Sequence, residues 1–197
     1  MIVSRISGYR PMISTIILPA RRFRPAAGQN SPLPLKDKPV LRSILDSVLA
    51  SEADEVICVT DDLAAARREI LLADSRLIWH FNSATVLGQS TSVIAGLWAS
   101  HPESDGVMLV AGELPVVRTE RINALIARFE CSPASIIVGS SSEQPSNPIL
   151  FRRELYPELL TLSGDDTGLS LVGKYREKTA LVEWQEEYGS APNSCGC

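Results

Sequence analysis

One carboxylate draws attention because of where the sequence places it. Val107 to Pro115 reads V-M-L-V-A-G-E-L-P, an apolar run followed by a turn that carries Glu113. The run predicts a buried strand, and Glu113 would lie at its carboxyl end, where open α/β sheets bind their ligands. A carboxylate is also a hard oxygen ligand that suits Mg²⁺. We therefore predict a catalytic, metal-binding role for Glu113; the competing interpretation is an ordinary acid in the first turn of a helix or on the surface.

A basic loop follows the first predicted strand. Arg21, Arg22 and Arg24 lie within four residues of one another, and guanidinium groups match phosphate oxygens bidentately. Because the cluster follows a strand, phosphate binding and a solvated surface turn are equally supported interpretations. Neither G-x-G-x-x-G nor G-x-x-x-x-G-K-[ST] occurs in the sequence, which argues against a dinucleotide-binding dehydrogenase and a P-loop ATPase.

A run of hydroxyl residues marks the start of a predicted helix. Residues 88–97 read G-Q-S-T-S-V-I-A-G-L, so that Ser90, Thr91 and Ser92 would offer hydroxyls and free N–H groups to an anion. Simple helix capping is the alternative interpretation of the same residues. Asn147, in S-N-P-I-L-F, supplies a polar group before a later strand. No Ser-His-Asp or Cys-His arrangement is evident in the sequence, which argues against nucleophilic hydrolysis.

Alternating strands and helices would position these residues. The hydrophobic pattern predicts strands at Ile13–Leu18, Glu55–Thr60, Leu77–Phe81, Gly106–Val110, Ser135–Val138, Pro148–Phe151 and Ala180–Trp184. It predicts helices over Pro39–Ala50, from Asp61 or Asp62 to about Leu72, over Ser90–Ser100, from Thr119 onward, over Arg153–Leu162 and over Thr167–Tyr175. This alternation predicts a mostly parallel sheet with helices on both faces. The loops expected at its carboxyl edge are Pro19–Lys38, Asn82–Ser90, Ala111–Arg118 and Gly139–Asn147.

Composition limits the class of protein. The chain has 197 residues, with 19 Lys and Arg against 23 Asp and Glu, for a formal charge of −4. We therefore expect no nonspecific binding to nucleic acid. No stretch approaches the roughly 20 apolar residues of a membrane span, and no signal peptide is recognisable, so we expect a cytoplasmic protein without membrane contact. We predict one domain over residues 1–187 and a flexible tail over 188–197, which includes Cys195 and Cys197.

Several segments together resemble the motifs of one enzyme family. Residues 18–30 read L-P-A-R-R-F-R-P-A-A-G-Q-N, and P-L-K-D-K-P-V-L begins at Pro34. The later matching segments follow in order and at compatible spacing: Asn82, Gly88–Leu97, Gly112–Pro115, Ser146–Phe151 and Gly164–Leu171. Over residues 13–175 the chain resembles the MobA-like nucleotidyltransferases, particularly the molybdenum-cofactor cytidylyltransferases.

The resemblance implies a fold, a reaction and a set of site residues. The fold would be a three-layer α/β/α, Rossmann-like domain with a mostly parallel sheet of the nucleotide-diphospho-sugar transferase type. The reaction would transfer a nucleotidyl group from an NTP, CTP or GTP, to a phosphorylated acceptor such as molybdopterin, with Mg²⁺ as cofactor and pyrophosphate as product. Glu113 would hold the metal. The other implied site residues are Leu18, Ala20, Arg21, Arg22, Arg24, Asn82, Ser90, Thr91, Ser92 and Gly112 for the nucleotide, and Asn147 and Pro148 for the acceptor.

Departures from the family motifs fall on the chemistry and keep two further hypotheses open. Arg21 replaces the family's loop glycine, its arginine falls at Pro25, its lysine at Asn30, and its metal-binding aspartate is Glu113 here. Side chains now occupy space that the glycine would leave open to a phosphate. The second hypothesis is a catalytically degenerate nucleotide- or cofactor-binding accessory protein that partners molybdoenzyme maturation proteins. The third is a sugar-phosphate nucleotidyltransferase.

Overall fold

A computed structural model describes residues 9–19, 40–112, 117–141 and 144–184 of the chain. Its strands are β1 (Ile13–Leu18), β2 (Glu55–Thr60), β3 (Leu77–Phe81), β4 (Gly106–Ala111), β5 (Ile136–Ser141), β6 (Gln144–Arg152) and β7 (Thr179–Glu183). Its helices are α1 (Val40–Leu49), α2 (Leu63–Glu69), α3 (Gln89–Ala99), α4 (Thr119–Cys131), α5 (Tyr156–Leu159) and α6 (Leu169–Lys174).

These strands form one mixed sheet in the order β3-β2-β1-β4-β6-β5-β7. The pairs β1–β2, β1–β4, β2–β3 and β5–β7 are parallel, whereas β6 pairs antiparallel with both β4 and β5. All strands except β6 therefore end at the same edge of the sheet, which we call the carboxyl edge, and β6 begins there. This is the mostly parallel α/β architecture that the alternating pattern predicts.

The strands are apolar on both faces because helices cover both. On one face, Ile13 and Ile17 of β1 pack in a cluster with α1 and with Ile122, Leu125 and Phe129 of α4. The neighbouring β1 residues face the other cluster, which α3, α5 and α6 cover. Period-2 alternation along each strand thus divides the core into two layers. The predicted three-layer arrangement is confirmed in the described part of the chain.

The strand predictions hold best in the first half of the chain. The first three strands begin and end at the predicted residues. The predicted loop Gly139–Asn147 is wrong for most of its length, because β5 extends to Ser141 and β6 begins at Gln144. Small polar residues in this stretch mimic a loop in sequence, yet they pair across a hairpin.

The predictions for α2, α5 and α6 are too long, and Ser90 and Thr119, at the predicted starts of α3 and α4, do not cap those helices. The residue preceding α3 is Gly88, and no side chain caps that helix, so Ser90 is not its cap. Arg118 precedes α4, and the hydroxyl of Thr119 donates to the Ser47 carbonyl oxygen at 2.9 Å. The helix predicted to end near Leu72 ends at Glu69. The single-domain prediction and the tail prediction extend to residues 1–8 and 185–197, which lie outside the described ranges, and stay predictions.

In the described part of the chain, every helix falls short of the length and apolarity that crossing a membrane requires.

Candidate functional site

Direct contacts join the segments that meet at the carboxyl edge. The side-chain amide of Gln89, after β3, donates to the carbonyl oxygen of Pro19, after β1, at 3.1 Å. Leu18 pairs with Ala111, so that β1 and β4 end side by side. The N–H of Ala111 donates to the side-chain oxygen of Asn147 in β6 at 2.8 Å. The described ends of the predicted site loops therefore form one continuous rim.

Asn82 holds the loop between β3 and α3 in shape. Its side chain is buried, and its amide donates to the hydroxyls of Thr91 at 3.0 Å and Ser92 at 3.1 Å. Its side-chain oxygen accepts from the N–H of Ala84 at 2.9 Å. One amide side chain thus links the start of the loop, its middle and the first turn of α3. Because both ends of the amide are engaged, the orientation of Asn82 is fixed.

The polar groups at the start of α3 bond within the protein. The Ser90 N–H donates to the Gly164 carbonyl oxygen at 3.0 Å, and the Thr91 N–H to the Gly88 carbonyl oxygen at 3.2 Å. The Thr91 hydroxyl also donates to Gly88, at 2.8 Å, and Ser90 and Ser92 are buried. The expectation of free N–H groups at Ser90 and Thr91 is therefore wrong. Position at a helix start indicated available donors, but nearby carbonyl oxygens already accept from them.

The segment around Gly164 belongs to the rim, although it is not among the predicted site residues. A Cβ atom built on Gly88 would lie 2.1 Å from the Gly164 carbonyl oxygen, and Gly88 itself has φ of +122°. Only a glycine fits so close an approach in that conformation. The sequence held one signal for this segment. Residues 164–171 are among the segments that resemble the family motifs, and they contain a second glycine loop.

The beginning of β6 is irregular in its pairing with β5. Ile149 pairs with Val138, but the next pair joins Ser146 to Gly139, which leaves Asn147 and Pro148 as extra residues in β6. This is a β-bulge, a feature that redirects side chains and is common beside active sites. Pro148 is buried and Asn147 is partly buried. The side chain of Asn147 is the one that reaches β4.

The remaining predicted site residues divide into two groups. Leu18 is buried at the end of β1, and Gly112 is buried directly after β4, so both present backbone to the rim. The second group lies outside the described residues and comprises Ala20, Arg21, Arg22, Arg24 and Glu113. Its members flank described rim residues in sequence: Ala20 follows Pro19, and Glu113 follows Gly112. Their roles stay predictions.

The described residues bear on metal binding and on nucleophilic catalysis. Among them, no group of three His, Cys, Asp or Glu side chains could hold a metal ion. Cys58 is buried, and burial raises the pKa of its thiol to about 12, which excludes it as a nucleophile at neutral pH.

The chain matches a known protein family. The family model described as the MobA-like NTP transferase domain matches residues 20–179. Comparison with curated protein sequences gave no significant match.

Solved structures share the fold. Rv0371c from Mycobacterium tuberculosis H37Rv aligns with a TM-score of 0.74 and 23% identity, over 93% of this chain and 92% of that chain. Another structure of that protein, a complex with manganese, aligns with a TM-score of 0.69 and 22% identity over the same shares, 93% and 92%. The 4-diphosphocytidyl-2C-methyl-D-erythritol synthase from Anaerococcus prevotii DSM 20548 aligns with a TM-score of 0.69 and 20% identity, over 89% of this chain and 88% of that chain.

Proposed function

Because the chain belongs to the MobA-like NTP transferase domain family, we propose that it transfers a nucleotidyl group from an NTP to a phosphorylated small molecule. An acceptor phosphate oxygen attacks the α-phosphorus, the bond to the bridging oxygen breaks, and pyrophosphate leaves with the electron pair. The observation that carries the proposal is the continuous rim: Gln89 contacts Pro19, β1 and β4 end together, and Asn147 contacts Ala111. A polyphosphate needs donors from several segments at one place, and this rim gathers those segments.

The predicted roles follow from where the chain continues beyond the rim. The arginines at 21, 22 and 24 begin two residues after Pro19 and would hold the triphosphate. Glu113 follows the buried Gly112 and would bind Mg²⁺, which neutralises charge on the phosphates. Leu18, Ala20 and Gly112 would offer backbone to the nucleotide. Asn82, Ser90, Thr91 and Ser92 would act by shaping the nucleotide loop, since their hydrogen bonds lie within the protein.

The choice of nucleotide and acceptor rests on similarity. The molybdenum-cofactor cytidylyltransferase motifs favour CTP or GTP as donor and molybdopterin as acceptor. The name of the similar protein from Anaerococcus prevotii includes the word diphosphocytidyl, and CTP is therefore the first nucleotide to test. The manganese complex of Rv0371c supports a divalent cation. A sugar 1-phosphate is the acceptor for the third hypothesis.

A binding protein without turnover is the second candidate function. The observations that favour it are Arg21 in place of the family glycine and the engagement of the Ser90 and Thr91 N–H groups by carbonyl oxygens of the protein. Loss of one donor to a transition-state oxyanion costs about 10²–10³ in rate. Such a protein would bind a nucleotide or cofactor and act alongside molybdoenzyme maturation proteins.

The experiment combines binding with turnover. Thermal shift is measured with CTP, GTP, ATP and UTP, each with and without Mg²⁺, because a ligand of the native state raises its stability. Pyrophosphate release is then measured with molybdopterin and with a sugar 1-phosphate. Glu113→Gln should lower turnover at least about 10²-fold, whereas Glu120→Gln, on the exposed first turn of α4, should leave it unchanged. Nucleotide binding without pyrophosphate from either acceptor would support the binding protein instead.

A further inference from the structure

We propose that Asn147 is a positioning residue, which holds the carboxyl end of β4 at Ala111, two residues before Glu113, the predicted metal ligand. The proposal rests on the proposed function, because it concerns how the metal carboxylate is oriented. It assigns to Asn147 a role different from the acceptor contact that the sequence suggests.

The hydrogen bond at Ala111 is the first argument. Ala111 is the last residue of β4, and its N–H donates to the side-chain oxygen of Asn147 at 2.8 Å. Glu113 lies two residues further along the chain. A fixed peptide plane at Ala111 restricts where the next two residues can go, since each adds only two soft dihedral angles.

The register of the sheet is the second argument. β4 and β6 are paired up to Leu109 opposite Ile149, and the same register would bring Asn147 opposite Ala111. At this point the bulge leaves Asn147 and Pro148 without partners in β5, and the Asn147 side chain bonds to β4. The side-chain oxygen of Asn147 thus continues the hydrogen bonding between β4 and β6 beyond their last pair, Leu109 and Ile149. On its other flank Ala111 is held by Leu18, so β4 is fixed from both sides to its final residue.

The chemistry of the side chain is the third argument. An N–H group needs an acceptor, and the Asn147 oxygen accepts from the Ala111 N–H with one of its two lone pairs, so that the side chain is held by β4. Nucleotidyl transfer depends on placing metal and phosphate, and a 1 Å displacement of a catalytic group can lower a rate about 10²-fold. A side chain that fixes the end of the strand two residues before Glu113 therefore affects turnover without touching the substrate.

The test compares Asn147→Ala and Asn147→Asp with the wild type and with Ser146→Ala, a control in the same strand. Amide hydrogen exchange at Ala111 is read without metal. It should speed up at least about tenfold in Asn147→Ala and stay near wild type in Asn147→Asp, whose carboxylate keeps an acceptor oxygen. Pyrophosphate release is read against metal and acceptor concentration. Asn147→Ala should raise the metal concentration at half-maximal rate and lower kcat, with the KM for the acceptor unchanged.

The outcomes separate this proposal from the proposed function. Unchanged exchange at Ala111 in Asn147→Ala would overturn the positioning role, even if the protein is an active transferase. A change confined to the acceptor KM would also overturn it, in favour of an acceptor contact. If the wild type binds no divalent cation and Glu113→Gln behaves as wild type, the proposed function fails, and the metal-orienting role fails with it whatever the exchange shows.

Discussion

Gly88 and Gly164 are in backbone contact across the rim: a Cβ atom on Gly88 would lie 2.1 Å from the Gly164 carbonyl oxygen. The same oxygen accepts the N–H of Ser90 at 3.0 Å. The loop before α3 and the loop before α6 are therefore fastened together where the nucleotide is expected. Because the contact is between backbones, neither loop can shift at this point without the other.

Replacing each of these glycines by alanine should have unequal effects. Gly88→Ala introduces a backbone clash at a φ of +122°, whereas the Cβ of Gly164→Ala, at φ +60°, meets nothing within 4 Å. The strained backbone of an alanine at position 88 costs about 1–3 kcal/mol before the clash is added. An alanine at position 164, in the left-handed region, costs about 1–2 kcal/mol. We expect Gly88→Ala to lower the free energy of unfolding by about 3 kcal/mol or more and Gly164→Ala by about 1 kcal/mol. Urea denaturation measures both, and equal losses would contradict the close contact.

Asn82 should be important for stability and for nucleotide binding together. Asn82→Ala removes two donated hydrogen bonds, to Thr91 and Ser92, and the acceptor of the Ala84 N–H, all at a buried position. We expect a loss of about 2–3 kcal/mol in the free energy of unfolding, because buried partners are left unsatisfied. The nucleotide-induced thermal shift should shrink as well. Its control is Ser83→Ala, at the exposed neighbour, which should stay within about 0.5 kcal/mol of wild type.

The sequence predicts the sheet well because short apolar runs of β-branched residues are typical of strands buried in a parallel sheet. The run Ile13–Leu18 is buried throughout, and its β-branched residues left few other interpretations. The sequence predicts strands at Ser135–Val138 and Pro148–Phe151 but not their extension into a hairpin, because the residues around Ser141 and Gln144 are the small polar residues of a loop. Pairing with neighbouring strands overrides that local preference, and pairing is not visible in a single strand's composition.

For the site, the sequence predicts which segments meet but not which polar groups remain available. The placement of Asn82 and Asn147 at the carboxyl edge follows from the alternation of strands and helices along the sequence. Whether a hydroxyl such as that of Thr91 faces a ligand or a carbonyl oxygen depends on distances of a few tenths of an ångström. Those distances arise from packing between segments far apart in sequence, as between Gly88 and Gly164.

A pH dependence is expected from Asp74. Its carboxylate accepts from the side chain and the backbone N–H of Arg76, and these hydrogen bonds hold the pKa of Asp74 below its ordinary value of 3.8. A carboxyl with a lowered pKa in the folded state adds stability above its unfolded pKa and loses that contribution as pH falls through the folded pKa. The stability difference between wild type and Asp74→Asn should therefore be present at neutral pH and decline as pH falls below 3.8.

The measurement is urea denaturation across the acid range, with a double-mutant cycle that adds Arg76→Met. In the Arg76→Met background, the effect of Asp74→Asn should be smaller and should lose most of its pH dependence, because the cation that lowers the pKa is gone. A difference between wild type and Asp74→Asn that grows as pH falls would have the wrong sign and would refute the assignment.

Arg152 should contribute strongly to stability. Its guanidinium donates to the carbonyl oxygens of Phe129, Ser132 and Ala134 and lies 4.0 Å from the centroid of the Phe129 ring. It therefore caps the carboxyl end of α4 and ties it to β6, and burial lowers its pKa without removing its charge. Arg152→Met leaves these carbonyl oxygens without that donor, so we expect a loss of about 3 kcal/mol in the free energy of unfolding. Arg152→Lys should recover only part of it, because an ammonium lacks the planar fork that spans several carbonyls.

The control is Arg176→Met, at an exposed position. If urea denaturation finds Arg152→Met as mild as Arg176→Met, the cap contributes little.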